Sequence, residues 1–126
     1  MTGVAGTLYN PSTMSDCLFC KIVNGEIPAE IVYRDENVVA FKDVNPQAPV
    51  HVLVIPVKHI DKLTSSEAAD GKMLAEVFSV IQKIAADMKL DEGFRVVSNC
   101  GPAGGQTVFH LHFHVMGKRA MTWPPG

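Results

Sequence analysis

With 126 residues, 47% of them hydrophobic, the chain can bury one substantial core and has no room for two, so a single domain is expected. A formal net charge of -2 offers no broad basic surface for a nucleic-acid backbone, which excludes extended DNA or RNA and leaves open a nucleotide in a local pocket. No apolar run reaches membrane-spanning length, and the opening residues lack the basic start and apolar stretch of a secretory signal, so a soluble, intracellular protein without a membrane partner is expected.

In chain order, residues 1–15 are rich in small and turn-forming types (Gly3, Gly6, Asn10, Pro11, Ser12) and show no period. They read as a flexible tail ahead of a single domain over 16–126. Cys17-Leu18-Phe19-Cys20 opens a short helical segment over 17–23, closed by Asn24-Gly25 and barred from continuing by Pro28. With three cysteines in all, an odd number, this pair suits metal or redox chemistry better than an extracellular disulfide framework. Ile31–Arg34 and Val38–Lys42 read as two strands around the turn Asp35-Glu36-Asn37. A proline-punctuated loop over 43–49 leads into 50–57, a strongly apolar strand that carries His51 and should lie centrally. Thr64, Ser65, Ser66 and Glu67 resemble a helix start. Met73, Leu74, Val77, Phe78, Ile81, Ile84, Ala85 and Met88 then fall at helical spacing, which predicts one long amphipathic helix. Residues 94–99 read as a strand, 100–106 as a glycine-rich loop and 108–116 as a last strand. The predicted fold class is α+β: an antiparallel sheet of about five strands with one long and one short helix, both on one face.

The last strand carries His110-Leu111-His112-Phe113-His114-Val115-Met116, which holds three of the chain's five histidines. Side chains alternate along a strand, so the three imidazoles should share one face at about 7 Å spacing and line an open surface, while Leu111, Phe113 and Val115 enter the core. Imidazole, with an unperturbed pKa of about 6.5, can act near neutrality as nucleophile, proton carrier or metal ligand. Just ahead, Gly101, Gly104 and Gly105 let the backbone approach a ligand closely, so that its N–H groups, with Gln106 and the Thr107 hydroxyl, could cradle an anion. A phosphate there would place its phosphorus within reach of His112, the middle ring. A neutral imidazole is a competent nucleophile, and a phospho-imidazole splits one hard displacement into two easier ones. The other nitrogen of His112 must then carry a proton held by a carbonyl or a neighbour. Two other readings stay open. The imidazoles could be buried structural groups, which would require partners for up to about six ring nitrogens, or alternate histidines could build a three-imidazole zinc site.

The row and the preceding Gly104-Gly105-Gln106-Thr107-Val108-Phe109 resemble the signature of the histidine triad superfamily of nucleotide-binding hydrolases and transferases. So do Ile27-Pro28-Ala29, Phe41-Lys42-Asp43-Val44-Asn45-Pro46-Gln47-Ala48-Pro49, residues 51–56 and the terminal Trp123-Pro124-Pro125-Gly126. The resemblance covers nearly everything from about Asp16 onward. The ending is similar to that of the histidine triad nucleotide-binding branch, the purine nucleoside phosphoramidases once called protein kinase C inhibitors.

The resemblance implies a homodimer whose two sheets join across the subunit boundary, and hydrolysis of the P–N bond in adenosine phosphoramidates. His112 would attack the α-phosphorus and form a nucleotidyl-histidine that water resolves to AMP. Asp43 matches the position that holds the ribose hydroxyls, and Val44 the position beside the base. Asn99, Gly105, Gln106 and Thr107 match phosphate-holding positions, and His114 a further phosphate contact. His51 would line the same pocket, making His112, His114, Thr107 and His51 the catalytic set. An amine leaves poorly unless protonated, so Thr107 or the imidazole network must supply a donor near the bridging atom. Thr107 stands where the branch commonly has serine, keeping the hydroxyl and adding a methyl. Trp123 would approach the site of the other subunit.

In some histidine triad proteins two cysteines at this spacing join two histidines around a structural zinc, and Cys17, Cys20, His59 and His110 match those positions. The alternative for the cysteines is a pair of ordinary buried thiols. Cys100 would be a small filler, oxidation-sensitive beside a phosphate loop. No organic cofactor is implied; the expected location is the cytoplasm, with the nucleus second. A nucleotide sensor or scaffold with incidental hydrolysis remains an alternative function. So does dinucleoside polyphosphate cleavage, which the terminal motif disfavours.

Overall fold

β2 (Val38–Lys42) is buried at every position except its last, and β3 (Val50–Pro56) at every position except its first, so both faces of these strands must be covered. The computed structural model describes residues 16–69 and 71–126; the tail expected over 1–15 lies outside the described residues. With β1 (Ile31–Arg34), β4 (Phe94–Val97) and β5 (Phe113–Gly117), these strands form a five-stranded sheet in the order β1-β2-β3-β5-β4, antiparallel at each pairing. Strand alternation sends Val38, Ala40, Val52 and Val54 to one face. There they pack with Leu111, Phe113 and Val115 against Val77, Val80, Ile81 and Ile84 of α2 (Gly71–Asp87). Val39, Phe41, Leu53 and Ile55 go to the other face, where α1 (Leu18–Val23) supplies Phe19, Cys20, Ile22 and Val23. The α+β class and the antiparallel sheet match the sequence reading, but the two helices lie on opposite faces rather than one. The reason is in β2 and β3: apolar residues at both alternating sets leave two faces to bury, each Val, Leu or Ile contributing about 1.5–3 kcal/mol when fully buried.

Three boundaries also differ from expectation. The Thr64-to-Glu67 start signals build a 3-10 turn over Ser66–Ala69, and α2 itself begins at Gly71. β4 ends at Val97 instead of residue 99, and β5 begins only at Phe113. The ladder pairs Val54 with Phe113, so its continuation would set Leu111 against Pro56, which has no N–H to donate. The lead-in from 108 to 112 is held by other bonds: Leu111 N–H donates to Ile60 O at 2.6 Å, and the Ser98 hydroxyl to His112 O at 3.0 Å. Among the described residues no helix is long and apolar enough to cross a membrane.

Candidate active site and metal centre

The imidazole row keeps the alternation expected of it even where it is not strand. Leu111, Phe113 and Val115 enter the core beneath α2, while His110, His112 and His114 turn to the side covered by α1. That surface is not open. His110 is 0% exposed and His112 6%, because α1 lays the Phe19 ring edge-on against them, with centroids 6.1 and 5.0 Å away. His112 Nδ1–H donates to the His110 carbonyl at 2.7 Å, which leaves Nε2 with the lone pair. Burial pushes the pKa of His112 down, so the ring is neutral near pH 7.

A cavity of about 430 Å³ opens beside that ring. Its apolar lining includes Leu18, Phe19 and Ile22 of α1 together with Ile27, Ala29 and Leu53; its polar lining includes Asp43, Asn99, Gly105, Thr107, His112 and His114. Asp43 sits just past β2, with Oδ1 accepting the Asn45 N–H at 2.8 Å. Val44, 96% exposed, stands at the rim. Gly105 has φ +92°, a left-handed conformation that turns the chain after the short 3-10 turn Pro102–Gly104 and brings its backbone to the cavity.

Two residues expected at the cavity lie behind it. Gln106 is buried and does not line the cavity. Its Oε1 accepts the Gly101 N–H at 2.9 Å, its Nε2 donates to Asp61 O and Val108 O at 2.7 and 3.0 Å, and its own backbone N–H is spent on Gly101 O. It shapes the glycine loop from within, since a buried amide must satisfy its donors and acceptor. His51 stands one ring behind the cavity, its Nε2 2.9 Å from His114 Nδ1 and 3.4 Å from Asp43 Oδ2, because β3 points it inward beside its ladder neighbour β5. Trp123, expected at the other subunit's site and not at this cavity, is 84% exposed. Burial depresses the pKa of His51, and takes that of His114 down to about 4 with the adjoining imidazoles of His112 and His51 adding to the effect.

On the far side of His110 lies a second constellation. Cys17 Sγ and His110 Nδ1 are 3.3 Å apart, Cys20 Sγ and His59 Nδ1 3.2 Å, and Cys20 Sγ and His110 Nδ1 3.5 Å. All four ligand atoms lie within 4.8 Å of one another. A tetrahedral zinc with ordinary Zn–S and Zn–N bonds has S···N edges of about 3.6 Å, so these donors already stand near ligating distance. The tautomers fit as well. His110 Nε2–H donates to Pro56 O at 2.8 Å and His59 Nε2–H to Asp61 Oδ1 at 2.9 Å, leaving both Nδ1 lone pairs inward. Without a cation, burial pushes the Cys20 thiol up to about 12 and takes His110 down to about 4. Cys100 belongs to neither group; it is half-buried, 3.6 Å from the Thr64 hydroxyl.

The profile of the HIT domain matches residues 24–121, most of the chain. The chain belongs to the HIT domain family. Its five-stranded α+β architecture is the HIT fold: it superposes with a TM-score of 0.84 on a HIT family hydrolase from Legionella pneumophila Philadelphia 1, 48% identical, covering 87% of this chain and 99% of that one. A histidine triad nucleotide-binding protein from Candida albicans is also similar, with a TM-score of 0.74 and 33% identity over 86% of this chain and 82% of that one. The 14 kDa zinc-binding protein of Zea mays is 46% identical over 115 residues, 89% of each chain. As a HIT protein the chain also uses groups that a reading of its motifs passed over. Phe19 roofs two of the imidazoles, Asp61 orients His59, and the Gln47 backbone N–H donates to His51 Nδ1 at 3.0 Å. Asp61 could have been found from its place two residues after a candidate ligand, since a ligating histidine commonly donates its other ring N–H to a carboxylate. A backbone N–H carries no side-chain signal at all.

Proposed function

We propose that this HIT protein is a purine nucleoside phosphoramidase of the histidine triad nucleotide-binding branch, hydrolysing adenosine phosphoramidates to AMP and an amine. The observation that carries the reading is His112: one nitrogen fixed on a carbonyl, the ring neutral, and the ring itself in the lining of a cavity that offers both apolar and polar groups. The apolar lining suits a purine, Asp43 the ribose hydroxyls, and Asn99, Gly105, Thr107 and His114 the phosphate. His112 Nε2 attacks the α-phosphorus, the P–N bond breaks and its electron pair leaves on the amine, which takes a proton from the Thr107 hydroxyl. Water then attacks the same phosphorus: its oxygen and one hydrogen stay on AMP, its other proton returns to Thr107, and the bond to His112 breaks to restore the neutral ring.

The same reading assigns Cys17, Cys20, His59 and His110 to a structural zinc. Two soft sulfurs and two inward-facing ring nitrogens fit that ion, and the Zea mays relative carries zinc binding in its name. Zinc held by four protein ligands leaves no open position for substrate, so its contribution is to fasten α1 to the sheet. We assign the protein to a homodimer in which Trp123 approaches the other subunit's site, acting on nucleotides in the cytoplasm or nucleus. In the test, His112→Asn is expected to lose phosphoramidate turnover by at least about a thousandfold while AMP binding measured by calorimetry stays within about threefold. Unchanged turnover in that variant rejects the mechanism.

A further inference from the structure

A backbone amide has a proton to give and no lone pair to offer, so the atom it points at must be an acceptor. Gln47 N–H points at His51 Nδ1 from 3.0 Å, which puts the lone pair of His51 on Nδ1 and its proton on Nε2. That Nε2–H has two acceptors in reach, His114 Nδ1 at 2.9 Å and the Asp43 carboxylate at 3.4 Å. The nearer one takes it. His114 Nδ1 is then an acceptor too, and the proton of His114 sits on Nε2, the nitrogen left to the cavity that His114 lines. Neither ring can gain a second proton without setting two N–H groups against each other. His112 is held in the opposite sense, its Nδ1–H on a carbonyl and its Nε2 bare. The two neighbouring rings, with centroids 5.1 Å apart, therefore present a lone pair and an N–H side by side.

We propose that the Gln47 peptide and His51 act as a positioning pair that holds His114 as a fixed, neutral Nε2–H donor for a phosphoryl oxygen, so that His114 neither stores nor delivers a proton. The proposal rests on the nucleotidyl-transfer reading of His112. The loop between β2 and β3 is built to keep the Gln47 amide in place. Asp43 N–H donates to His51 O at 3.0 Å, the Gln47 side chain donates to Asn45 O at 3.0 Å, and Arg119 Nε–H holds Gln47 O at 2.9 Å. The titratable groups facing the pair are Asp43 from that loop and His112 from the lead-in to β5; Asp43 favours a charged ring, while burial and the second imidazole oppose it.

The same directionality decides a competing use of the site. Asp43, His51 and His114 bring three ligand atoms within 4.8 Å, a spacing that on its own would suit a divalent cation. A cation on His51 Nε2 needs the lone pair there, which drives the proton to Nδ1 and against the Gln47 N–H. The group is arranged for the oxygens of an anion and excludes the metal.

Imidazole nitrogen NMR spectra of the full wild-type chain read both rings directly. At about pH 6 they should show His51 and His114 neutral and protonated on Nε2. A His51 protonated on Nδ1, or a cationic His114 at that pH, would overturn the proposal. His51→Leu removes the donor, so His114 should show mixed tautomers and kcat for an adenosine phosphoramidate should fall about tenfold or more with KM changed less than about threefold. His51→Gln, which can place an amide N–H near the same point, should restore the Nε2 tautomer and most of kcat. An unchanged His114 tautomer in His51→Leu counts against the pair. Titration with diamagnetic zinc(II) should perturb His59 and His110 at one equivalent and leave the ring nitrogens of His51 and His114 unmoved; zinc-dependent loss of the Nε2 protons of the latter two would refute the exclusion of metal. The spectra do not depend on turnover, so a wild-type chain with the stated tautomers but no hydrolysis would overturn the reaction and not the tautomers.

Discussion

His112 can react through one nitrogen only, because the His110 carbonyl occupies the other, and that restriction converts an ordinary imidazole into an aimed one. The hydroxyl of Thr107, which lines the same cavity, is the candidate proton donor to the leaving amine. Thr107→Ser keeps the hydroxyl and removes only a methyl, so steady-state turnover should stay within about threefold of wild type; Thr107→Val keeps the shape and loses the hydroxyl, so turnover should fall about a hundredfold. Equal activity in the two variants would take Thr107 out of the mechanism. At this scale much of the cavity's polar lining was legible from sequence, since His112, Asp43, Asn99 and Thr107, singled out by chemistry and by motif, all face it. Gln106 misled because its amide and the glycines around it suit an anion cradle equally well in sequence, and only the fold shows that amide bonded to Gly101, Asp61 and Val108.

At the scale of elements, α1 is the piece on which two sites meet. It offers only six residues, too short to be stable by itself, yet it and its N-cap Cys17 supply two sulfurs to the Cys17/Cys20/His59/His110 group, and three of its side chains, Leu18, Phe19 and Ile22, line the cavity wall. Removing metal with a strong chelator should therefore lower the thermal midpoint and weaken AMP binding together, and Cys20→Ser should do the same without chelator. Loss of thermal stability with AMP affinity unaltered would separate the metal group from the pocket. The position of α1 was the main element-level surprise. Its hydrophobic residues reveal that it packs, but not on which face; β2 and β3, apolar on both alternating sets, held that information, and their two-sidedness was visible in Val38, Val39, Ala40 and Phe41. The shortened β5 turns on Pro56, a single missing N–H on the neighbouring strand that no pattern within 108–116 could disclose.

For the whole molecule, the buried imidazoles set how the fold responds to acid. His114, taken down to about 4, and His51, also depressed, stay neutral in the folded chain, whereas the same side chains unfolded titrate near about 6.5. Between those values the unfolded chain binds more protons than the folded one, so the stabilisation is complete above about pH 6.5 and is lost as pH falls toward about 4. Calorimetric midpoints should accordingly be flat near neutrality with respect to these groups and decline across that interval; a midpoint that rises on acidification would contradict the neutral assignment. Fold and site converge in the proposed covalent step, and the most direct test is to catch it. The chain is mixed with an adenosine phosphoramidate, quenched in denaturant within the first turnovers and digested, and the peptide containing His112 is weighed. A nucleotidyl adduct on that histidine is the predicted result; turnover proceeding with no adduct there, or with the adduct on another residue, would contradict the account.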